Sequence, residues 1–432
     1  MITDLKPYPS YRDSGVEWLG AVPAHWEVWR LKNTIYLQRG YDLDATKFIK
    51  GRYPVCGSNG IIGYHNNFKS SGPGITIGRS GSVGEVNYIA SDFWPHNTAI
   101  YVKKYFNSDV RFIFYLLKTI DLKGLSAGSA VGTLNRNYIH QLAVTIPPLP
   151  EQTAIARVLD FADRRIRRSI QAKLKLIKLL EEEKQAVINQ AVTRGLDPDV
   201  RLKPSGVEWL GDVPEHWEVM LNQRIFKEEI RSHNGHFEMQ LSLSQKEGLI
   251  PTSTMQERSL QTSSYDNWKV TMPGDLVLNR FKAHLGVFFA STLRGIVSFH
   301  YGVFSPRRPL ITKYFELLYH TNVYRTIYAG RSNGMTVGLQ NLSNQNFYNV
   351  CSIYPPIREQ RAIVSFAERS IKYFNDVIDL TSCEITLLRE YRTRLISDVV
   401  TGKLDVREAA ARLSEEAGEP GTLRVEKEGA SA

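Results

Sequence analysis

The strongest constraint on the fold is a stretch at residues 147–197 whose pattern predicts one helix of unusual length. Apolar residues recur at steps of three and four, which is the spacing of a coiled-coil seam. The seam positions are Ile155, Leu159, Ala162, Ile166, Ile170, Leu174, Ile177, Leu180, Val187 and Ala191. Residues 151–194 contain no Gly or Pro, and at about 1.5 Å per residue they would form a rod of roughly 65 Å. A helix of that length cannot bury its seam alone.

A second stretch, residues 355–405, repeats this pattern and predicts a partner helix for the first. Its seam positions are Ile363, Ala367, Ile371, Phe374, Ile378, Ile385, Leu388, Leu395 and Val399. Both stretches begin with a PPxxEQ motif, and the two motifs align at a constant offset of 208 (355 − 147). The same offset aligns Leu196 and Asp197 with Leu404 and Asp405 at the far ends. The two predicted helices therefore have equal length, and packing on each other is the simplest way to bury both seams.

A shorter duplication, at a different offset, precedes each variable part of the chain. Residues 14–28 (SGVEWLGAVPAHWEV) and 205–219 (SGVEWLGDVPEHWEV) are identical at thirteen of fifteen positions, at an offset of 191 (205 − 14). Such a match identifies an internal repeat. One interpretation is a structural clasp, in which the tryptophans of the block pack against the base of a domain. The alternative is a docking surface for a partner protein, formed by Trp18, Trp26, Trp209 and Trp217.

The regions between each block and each helix, residues 29–146 and 220–354, share a plan although their sequences have diverged. Each contains short β-like runs punctuated by Gly and Asn, then a helical patch and a Gly-rich loop. A duplicated scaffold with two different inserts indicates two sites that recognise different things. Residues 406–432 are polar and lack aromatic side chains, which predicts a disordered acidic tail.

The charge balance favours an anionic partner. The chain carries a formal net charge of +10 and has an isoelectric point near 9.3. Nucleic acid is the leading candidate, and an anionic membrane surface or nonspecific adhesion are the alternatives. The scattered cysteines Cys56, Cys351 and Cys383 have no paired metal-ligand spacing, so no metal site is predicted. Without an apolar signal segment or a membrane span, the chain is expected to reside in the cytoplasm and to insert in no membrane.

Basic and amide side chains cluster around the turns of both variable regions. Arg and Lys can bond guanine edges, Asn and Gln can bond adenine edges, and all of them can hold phosphates. The DNA-binding candidates in the first region are Arg79, Ser80, Ser82, Asn87, His96 and Asn97. The candidates in the second region are Asn279, Arg280, Lys282, His284, His300, Arg307 and Arg308. Any single member is expected more often to be a solvated loop residue or a phosphate contact than a base contact.

A run of basic side chains near the start of the first long helix includes two further candidates, Arg164 and Arg168. The plainer interpretation is a solvated charged face on an exposed helix. The sharper hypothesis is that this helix passes over a DNA phosphate backbone.

Common catalytic motifs do not occur in the sequence. It has neither a zinc-protease HExxH nor a phosphate-binding GxxxxGK[ST] pattern. Its two PP dipeptides, in TIPPLPE and IYPPIRE, lack the Asn or Asp and the aromatic residue of an amino-methyltransferase loop, so they are interpreted as helix starts. No catalytic residue and no bound cofactor is predicted.

The duplicated Trp-Pro block, the two PPxxEQ helix starts and the phrases TIGRSGSVG and PGDLVLNR together resemble one family, the specificity subunits of type I restriction-modification systems. The resemblance covers nearly the whole chain except the tail. The fold expected is α+β, with two mixed globular target recognition domains, two long antiparallel coiled-coil helices and a pseudo-twofold internal repeat. The predicted segments are residues 1–146 and 198–354 for the domains, 147–197 and 355–405 for the helices, and 406–432 for the tail.

The resemblance also implies a function. Each target recognition domain would recognise one half of a split double-stranded DNA sequence, and the paired helices would set the gap between the halves. Two modification (methyltransferase) subunits, which carry S-adenosylmethionine and methylate adenine, would bind the repeated parts. Restriction (translocase and nuclease) subunits would complete the cleaving complex. This chain would itself be non-catalytic.

Hypotheses from other classes stay open. One is an enzyme, a fused DNA methyltransferase or nuclease with unrecognised motifs, which methyl transfer or DNA cleavage by the purified chain would reveal. Another is a coiled-coil scaffold that binds only proteins, for which salt-insensitive, DNA-independent assembly would be the sign. The two divergent inserts argue against the scaffold. A third is a solo modulator of another system.

Overall fold

The computed structural model describes residues 5–44, 46, 48–126, 132–232, 239–245, 247–254, 267–332 and 341–413, and these form the predicted α+β fold. Contacts within the chain divide it into two compact units. Unit 1 comprises residues 1–173 with 383–432, and unit 2 comprises residues 174–382. Each unit therefore combines one variable region with part of both long helical stretches.

The first half of the chain contains eleven named strands among its described residues. They are β1 (Tyr11–Asp13), β2 (Ala21–Pro23), β3 (Glu27–Arg30), β4 (Ile35–Arg39), β5 (Tyr53–Gly57), β6 (Gly60–His65), β7 (Gly74–Gly78), β8 (Val86–Ile89), β9 (Trp94–Pro95), β10 (Ala99–Tyr105) and β11 (Ala143–Ile146). The helices of this half are α1 (Val110–Thr119), α2 (Arg136–Gln141) and α3 (Leu149–Arg194).

The second half follows with a similar succession of elements. Its strands are β12 (Leu202–Pro204), β13 (Asp212–Pro214), β14 (Glu218–Leu221), β15 (Phe226–Glu228), β16 (Leu241–Ser244), β17 (Gly248–Pro251), β18 (Lys269–Thr271), β19 (Leu276–Asn279), β20 (Phe288–Ala290), β21 (Gly295–Val297), β22 (Tyr301–Pro306) and β23 (Cys351–Tyr354). Its helices are α4 (Asn222–Ile225), α5 (Thr312–Tyr319), α6 (Asn322–Arg331), α7 (Asn344–Tyr348), α8 (Ile357–Val400) and α9 (Arg407–Arg412).

Both units contain the same four-stranded antiparallel sheet. The strand order is β4-β10-β7-β8 in unit 1 and β15-β22-β19-β20 in unit 2. In each unit a separate antiparallel pair, β3-β11 or β14-β23, joins the strand after the Trp-Pro block to the strand before the long helix. The duplication seen in the sequence is therefore also a duplication of strand topology.

The two long helices are present and antiparallel, as predicted. Helix α3 has 46 residues and α8 has 44. In unit 1, Lys173 Nζ donates to Glu384 Oε2 at 2.5 Å and Asp163 accepts from Arg392. In unit 2, Lys184 Nζ donates to Asn375 Oδ1 at 2.9 Å. In these pairs the residue number increases along α3 while it decreases along α8, so the two helices run antiparallel.

One predicted seam residue is not covered. Leu174 is 48% exposed, and the neighbouring Leu176 and Leu179 are exposed as well. The reason is geometric, because a pair of helices covers only a narrow stripe on each partner. The prediction that Leu174 belongs to a buried seam is therefore wrong.

The ends of the long helices belong to the cores of the units. In unit 1, Ile155 and Leu159 of α3 share one apolar cluster with Leu395 and Val399 of α8. In unit 2, Ile188 and Ala191 of α3 share another with Ile363 and Ala367 of α8. The boundaries between the two units therefore fall within the long helices, whereas the predicted recognition domains end at residues 146 and 354. Those boundaries stay a prediction about domains.

The start of the predicted tail is corrected by the structure. Val406, the residue before α9, is fully buried, and Ala410 within α9 is 6% exposed. Both side chains pack into the core of unit 1, so apolar burial orders this segment despite its polar composition. Residues 414–432, the rest of the predicted tail, lie outside the described residues.

Candidate nucleic-acid interface

In unit 1, the candidates cluster where β7 ends and β10 begins. The backbone N–H groups of Arg79 and Ser80 donate to Thr98 O at 2.9 and 3.3 Å, because Gly78 and Ala99 are paired across the sheet. The ring of His96 lies between Thr98 Oγ1, 2.9 Å from Nδ1, and a backbone oxygen, 3.1 Å from Nε2. The structure therefore brings Arg79, Ser80 and His96 to one edge of the sheet.

Asn97 lies at the same edge, but its side chain is already hydrogen-bonded to an acidic residue. Its Nδ2 donates to Asp42, which also lies 3.4 Å from Arg39. Ser82 lies in the turn between β7 and β8, and its backbone oxygen faces Gly78 so closely that a Cβ at Gly78 would lie 1.9 Å from it. Only glycine fits there, so Gly78 sets the tight turn that presents Arg79 and Ser80.

In unit 2, the corresponding edge lies where β19 ends and β22 begins. Asn279 and Tyr301 are paired there, and residues 280–285 form a short 3₁₀ segment. Asn279 is 8% exposed, and its Oδ1 accepts from Phe281 N at 3.1 Å as the cap of that segment. Lys282 is exposed, and the exposed His300 ring lies 5.3 Å from the ring of Phe281. The two units therefore present different side chains at the same position of the same sheet.

An acidic residue that the sequence did not suggest controls the charge at this edge. Glu228 Oε1 accepts from Arg280 Nη2 at 2.9 Å and lies 3.5 Å from Lys269 Nζ. Burial, followed by the repulsion of Arg280, lowers the pKa of Lys269. Glu228 also accepts from Asn344. Arg280 is thus tied into a half-buried ionic cluster, while Lys282 and His300 remain the freer candidates.

The remaining candidates lie elsewhere. Arg307 and Arg308 follow the far end of β22, where Pro306 pairs with Phe226, and Arg307 Nε donates to Phe226 O at 3.1 Å. Asn87 lies within β8, with a buried Nδ2 that has no hydrogen-bond partner among the described residues. His284 is the exception, because it lies at the unit 2 edge on the same 3₁₀ segment as Lys282. Arg164 and Arg168 lie on α3, which belongs to neither sheet.

An aromatic and basic cluster in unit 1 was missed by the sequence analysis. Lys69 Nζ lies 5.0 Å from the ring centroid of Trp94 and 5.9 Å from that of Tyr41. The hydroxyls of Tyr41 and Tyr101 are 3.3 Å apart. A lysine ammonium held over aromatic rings can bind a phosphate. These residues are spread over residues 41–101, so no local pattern could have grouped them.

The tryptophans form clasps, which overturns half of the predicted docking surface. Trp26 and Trp217 are fully buried and cannot touch a partner. Their Nε1 atoms donate to Glu151 Oε1 at 3.1 Å and to Glu359 Oε2 at 2.9 Å, the acidic residues of the two PPxxEQ motifs. Buried indole N–H groups require an acceptor, and the start of each long helix supplies it.

The other two tryptophans of the blocks differ. Trp18 is 49% exposed, and Trp209 is half-buried against the ring of Tyr324 at 5.2 Å. The hypothesis of a docking surface therefore stays a prediction for Trp18 and Trp209 only.

The glutamines of the PPxxEQ motifs complete the clasps. Gln152 Oε1 accepts from Asp109 N at 2.9 Å, and Gln360 Oε1 accepts from Ile311 N at 2.9 Å. Asp109 and Ile311 are the residues that cap α1 and α5. Each motif thus ties a long helix to the Trp-Pro block and to the first helix after the sheet.

The described residues form neither a metal site nor a membrane-spanning helix. No three His, Cys, Asp or Glu side chains in this part of the chain come together to hold a metal ion. None of the described helices is long and apolar enough to cross a membrane.

The fold resembles solved structures from type I restriction-modification systems. A chain from a structure of complex assembly in a type I restriction-modification system covers 89% of this chain and 99% of its own length, with a TM-score of 0.64 and 13% identity. The HsdS subunit from Thermoanaerobacter tengcongensis covers 89% of this chain and 98% of its own, with a TM-score of 0.52 and 15% identity. The class that the fold defines is thus two sheet-containing units with two long antiparallel helices.

Sequence comparison narrows this class to a family. Residues 23–176 match the type I restriction modification DNA specificity domain. The type I restriction enzyme EcoprrI specificity subunit of Escherichia coli is 29% identical over 112 residues, or 26% of this chain and 28% of the relative. A candidate specificity subunit of Methanocaldococcus jannaschii, MjaX, is 23% identical over 317 residues, or 68% of each chain. Together these similarities indicate a type I restriction-modification specificity subunit.

The matched segments are short for most relatives. The chain spans 30%, 25% and 33% of the lengths of three specificity-subunit relatives, from Haemophilus influenzae, Methanocaldococcus jannaschii and Mycoplasma pneumoniae.

Proposed function

We propose that this chain is the DNA-binding specificity subunit of a type I restriction-modification complex, and that each variable region recognises one half of a split double-stranded DNA sequence. The observation that carries the proposal is the repeated sheet, with strand order β4-β10-β7-β8 in unit 1 and β15-β22-β19-β20 in unit 2. The equivalent edges of these two sheets carry different side chains. Two copies of one scaffold with different side chains are suited to recognising two different half-sites.

The chemistry of the two edges supports this division of labour. Unit 1 offers Arg79, Ser80 and His96, and unit 2 offers Lys282 and His300. Arg and Lys bond guanine in the major groove and also hold phosphates, while Ser and His bond either. The formal net charge of +10 adds a sequence-independent attraction to DNA.

The long helices are proposed to set the gap between the half-sites and, with the repeated blocks, to bind two modification subunits. Those subunits would carry S-adenosylmethionine and methylate adenine, and restriction subunits would complete the cleaving complex. This chain would then be non-catalytic, which accords with its family. Its role would be to determine where its partners act.

The decisive experiment is single-molecule sequencing of methylated adenines in DNA from cells that co-express this chain with its candidate modification subunit. The control cells express the modification subunit alone. A split motif with a constant gap, present only with this chain, is the expected result. No such motif, with the modification subunit expressed and folded, would contradict the proposal for this pairing.

Two variants assign the half-sites to the units. Arg79→Ala should relax or abolish recognition of one half of the motif, and Lys282→Ala should do so for the other half, because each removes a cation from one sheet edge. The loss of a good base contact costs about 1 to 3 kcal/mol, roughly 5- to 150-fold in occupancy. Equal loss of both halves in either variant would contradict separate recognition.

A further inference from the structure

A cavity in unit 2 lies beside the clasp of the second long helix. Its volume is about 330 Å³, which falls in the range of binding pockets. It is lined by Arg194, Gly195, Leu196, Asp197, Val200, Pro214, His216, Glu359, Ala362 and Ile363. The lining includes the carboxylate of Glu359, which accepts from Trp217 and lies 2.7 Å from His216 Nε2.

The same place in unit 1 is filled by the chain itself. The repeats align Pro214 and His216 with Pro23 and His25, and Glu359 with Glu151. In unit 1, Tyr8 Oη donates to Glu151 Oε1 at 2.6 Å, and the Tyr8 ring lies 5.6 Å from the rings of both His25 and Trp26. Tyr8 therefore occupies the counterpart of the unit 2 cavity.

The segment around Tyr8 is held by hydrogen bonds to residues 402–405. Asp405 N donates to Lys6 O at 2.7 Å, and Tyr11 Oη donates to Gly402 O and Lys403 O at 3.1 and 3.2 Å. By the repeat, Asp405 corresponds to Asp197, and Gly402 and Lys403 correspond to Arg194 and Gly195. Each of these contacts is thus made to the counterpart of a residue that lines the cavity in unit 2.

The equivalent positions of unit 2 carry residues that could not do the same. At the offset of 191, the positions of Tyr8 and Tyr11 are taken by Asp199 and Leu202, and both are exposed. The two carboxylates differ in solvent exposure, because the side chain of Glu151 is 7% exposed and that of Glu359 is 39% exposed. The two clasps thus share the carboxylate, but the position equivalent to Tyr8 in unit 2 is an exposed aspartate.

We propose that the cavity beside Glu359 binds a tyrosine side chain from a proline-flanked segment of another protein, with the phenol donating to the Glu359 carboxylate. The ring would lie beside His216, as the Tyr8 ring lies 5.6 Å from that of His25, and would contact Ala362 and Ile363 of the cavity lining. A second copy of this chain is the less suitable donor, because its own Tyr8 is already buried against Glu151. This inference concerns protein binding and is independent of the proposed DNA recognition.

The test uses the full chain and a fluorescein-labelled synthetic peptide with the sequence of residues 5–13, LKPYPSYRD, because that segment fills the counterpart site. Binding is measured by fluorescence anisotropy without DNA. The wild-type chain should bind the peptide in a saturable manner below about 1 mM. Replacing the tyrosine that corresponds to Tyr8 by phenylalanine should weaken binding about tenfold, as expected for a lost hydrogen bond to a charged acceptor.

Three variants of the chain locate the site. Ala362→Trp should fill the cavity and abolish binding, whereas Ser365→Trp, at an exposed position one turn further along α8 and outside the lining, should leave it unchanged. In Glu359→Gln, the difference between the tyrosine and phenylalanine peptides should shrink to about twofold or less, because the charged acceptor is gone.

Several outcomes would overturn the proposal. These are no saturable binding at millimolar peptide, equal affinity for both peptides, or binding that survives Ala362→Trp. Survival in that variant would place the peptide elsewhere, including an exchange with the Tyr8 segment of unit 1. Dimerisation of the chain that Tyr8→Ala abolishes would also overturn it, because the donor would then be a second copy.

Discussion

At the scale of single residues, one carboxylate at the start of each long helix organises its surroundings. Glu151 accepts from Trp26 and Tyr8 and lies 2.8 Å from His25 Nε2. Burial, together with the hydrogen bond to Glu151, raises the pKa of Tyr8 far above its usual range. The phenol therefore stays protonated and remains a donor at any physiological pH.

Removing the indole N–H should loosen one clasp and leave the other intact. Trp217→Phe deletes the hydrogen bond to Glu359 and part of a fully buried ring, so unit 2 should lose about 2 to 4 kcal/mol of stability. Hydrogen exchange followed by mass spectrometry should show faster exchange at residues 357–367 and no change at residues 149–159. Trp18→Phe, at a half-exposed position, should change stability by less than about 0.5 kcal/mol. Equal effects of the two substitutions would contradict the clasp.

A buried histidine predicts acid sensitivity of unit 2. Burial, then the charges of Arg325 and Lys313, lowers the pKa of His320 from 6.5 to about 4. Between these values the unfolded chain binds the proton and the folded chain does not, so stability is present above pH 6.5 and is lost as the pH falls towards 4.

The loss attributable to His320 should reach roughly 3 kcal/mol at pH 4. Urea denaturation at pH 7.5, 6, 5 and 4 measures it, with His320→Gln as the non-titrating variant that keeps a side-chain donor. The variant should lose less stability on acidification than the wild type. Parallel pH profiles for the two proteins would show that His320 is protonated equally in the folded and unfolded states.

At the scale of elements, each long helix begins with the same PPxxEQ motif and then continues without interruption. Each begins at a clasp made by the same Glu and Gln positions, and α3 and α8 differ by only two residues in length (46 − 44). A continuous helix resists bending over its length, because every residue adds a backbone hydrogen bond. This is the property that a spacer between two recognition sites requires.

Lengthening both helices should widen the DNA gap. Seven residues inserted after Lys178 in α3 and seven after Asp379 in α8 preserve the seam, because a heptad returns to the same face. The insertion adds about 10.5 Å, close to three base pairs at about 3.4 Å each. Sequencing of methylated adenines should then show unchanged half-sites with a gap about three base pairs longer.

The control keeps the length constant. Replacing seven residues at the same positions by the inserted heptads should leave the gap unchanged. A lengthened variant that methylates the original gap would exclude the helices as the determinant of spacing.

At the scale of the whole molecule, the charge is uneven. Residues 407–432 carry four basic and six acidic side chains, so residues 1–406 hold a formal charge of +12 (10 + 2). An excess of this size attracts polyanions over a distance of about a Debye length, roughly 8 to 10 Å at physiological salt. This excess favours the proposed DNA-binding role over a scaffold that binds only proteins.

Binding of the assembled complex to its DNA motif should depend strongly on salt. With about six or more phosphate contacts, affinity should fall at least roughly a thousandfold between about 50 and 200 mM KCl, linearly on logarithmic axes. Filter binding with the specific duplex and a scrambled duplex measures the slope and the specificity at each salt concentration. A flat salt dependence would favour the scaffold hypothesis.

Much of the architecture could be predicted from the sequence because the signals are local. The seam period, the Pro and Gly that bound the helices and the two constant offsets each involve neighbouring or repeated residues. They correctly predicted α3, α8, their antiparallel pairing and two similar sheet-containing regions. The error at Leu174 arose because a period marks one face of a helix but does not say how far a partner covers it.

The details of the sites depend on contacts between residues far apart in the chain. Glu228 and Arg280 are separated by 52 positions, and Trp26 and Glu151 by 125. A list of basic residues cannot show which of them an acid already holds, and a repeated Trp cannot show whether it is buried. The sequence by itself thus determined the plan of two similar halves, because periodicity and repetition are written in the chain. Only the tertiary structure decided which side chains remain available, because burial and hydrogen-bond pairing depend on distant segments brought together, as when Tyr8 is hydrogen-bonded to Glu151 across 143 positions of the chain.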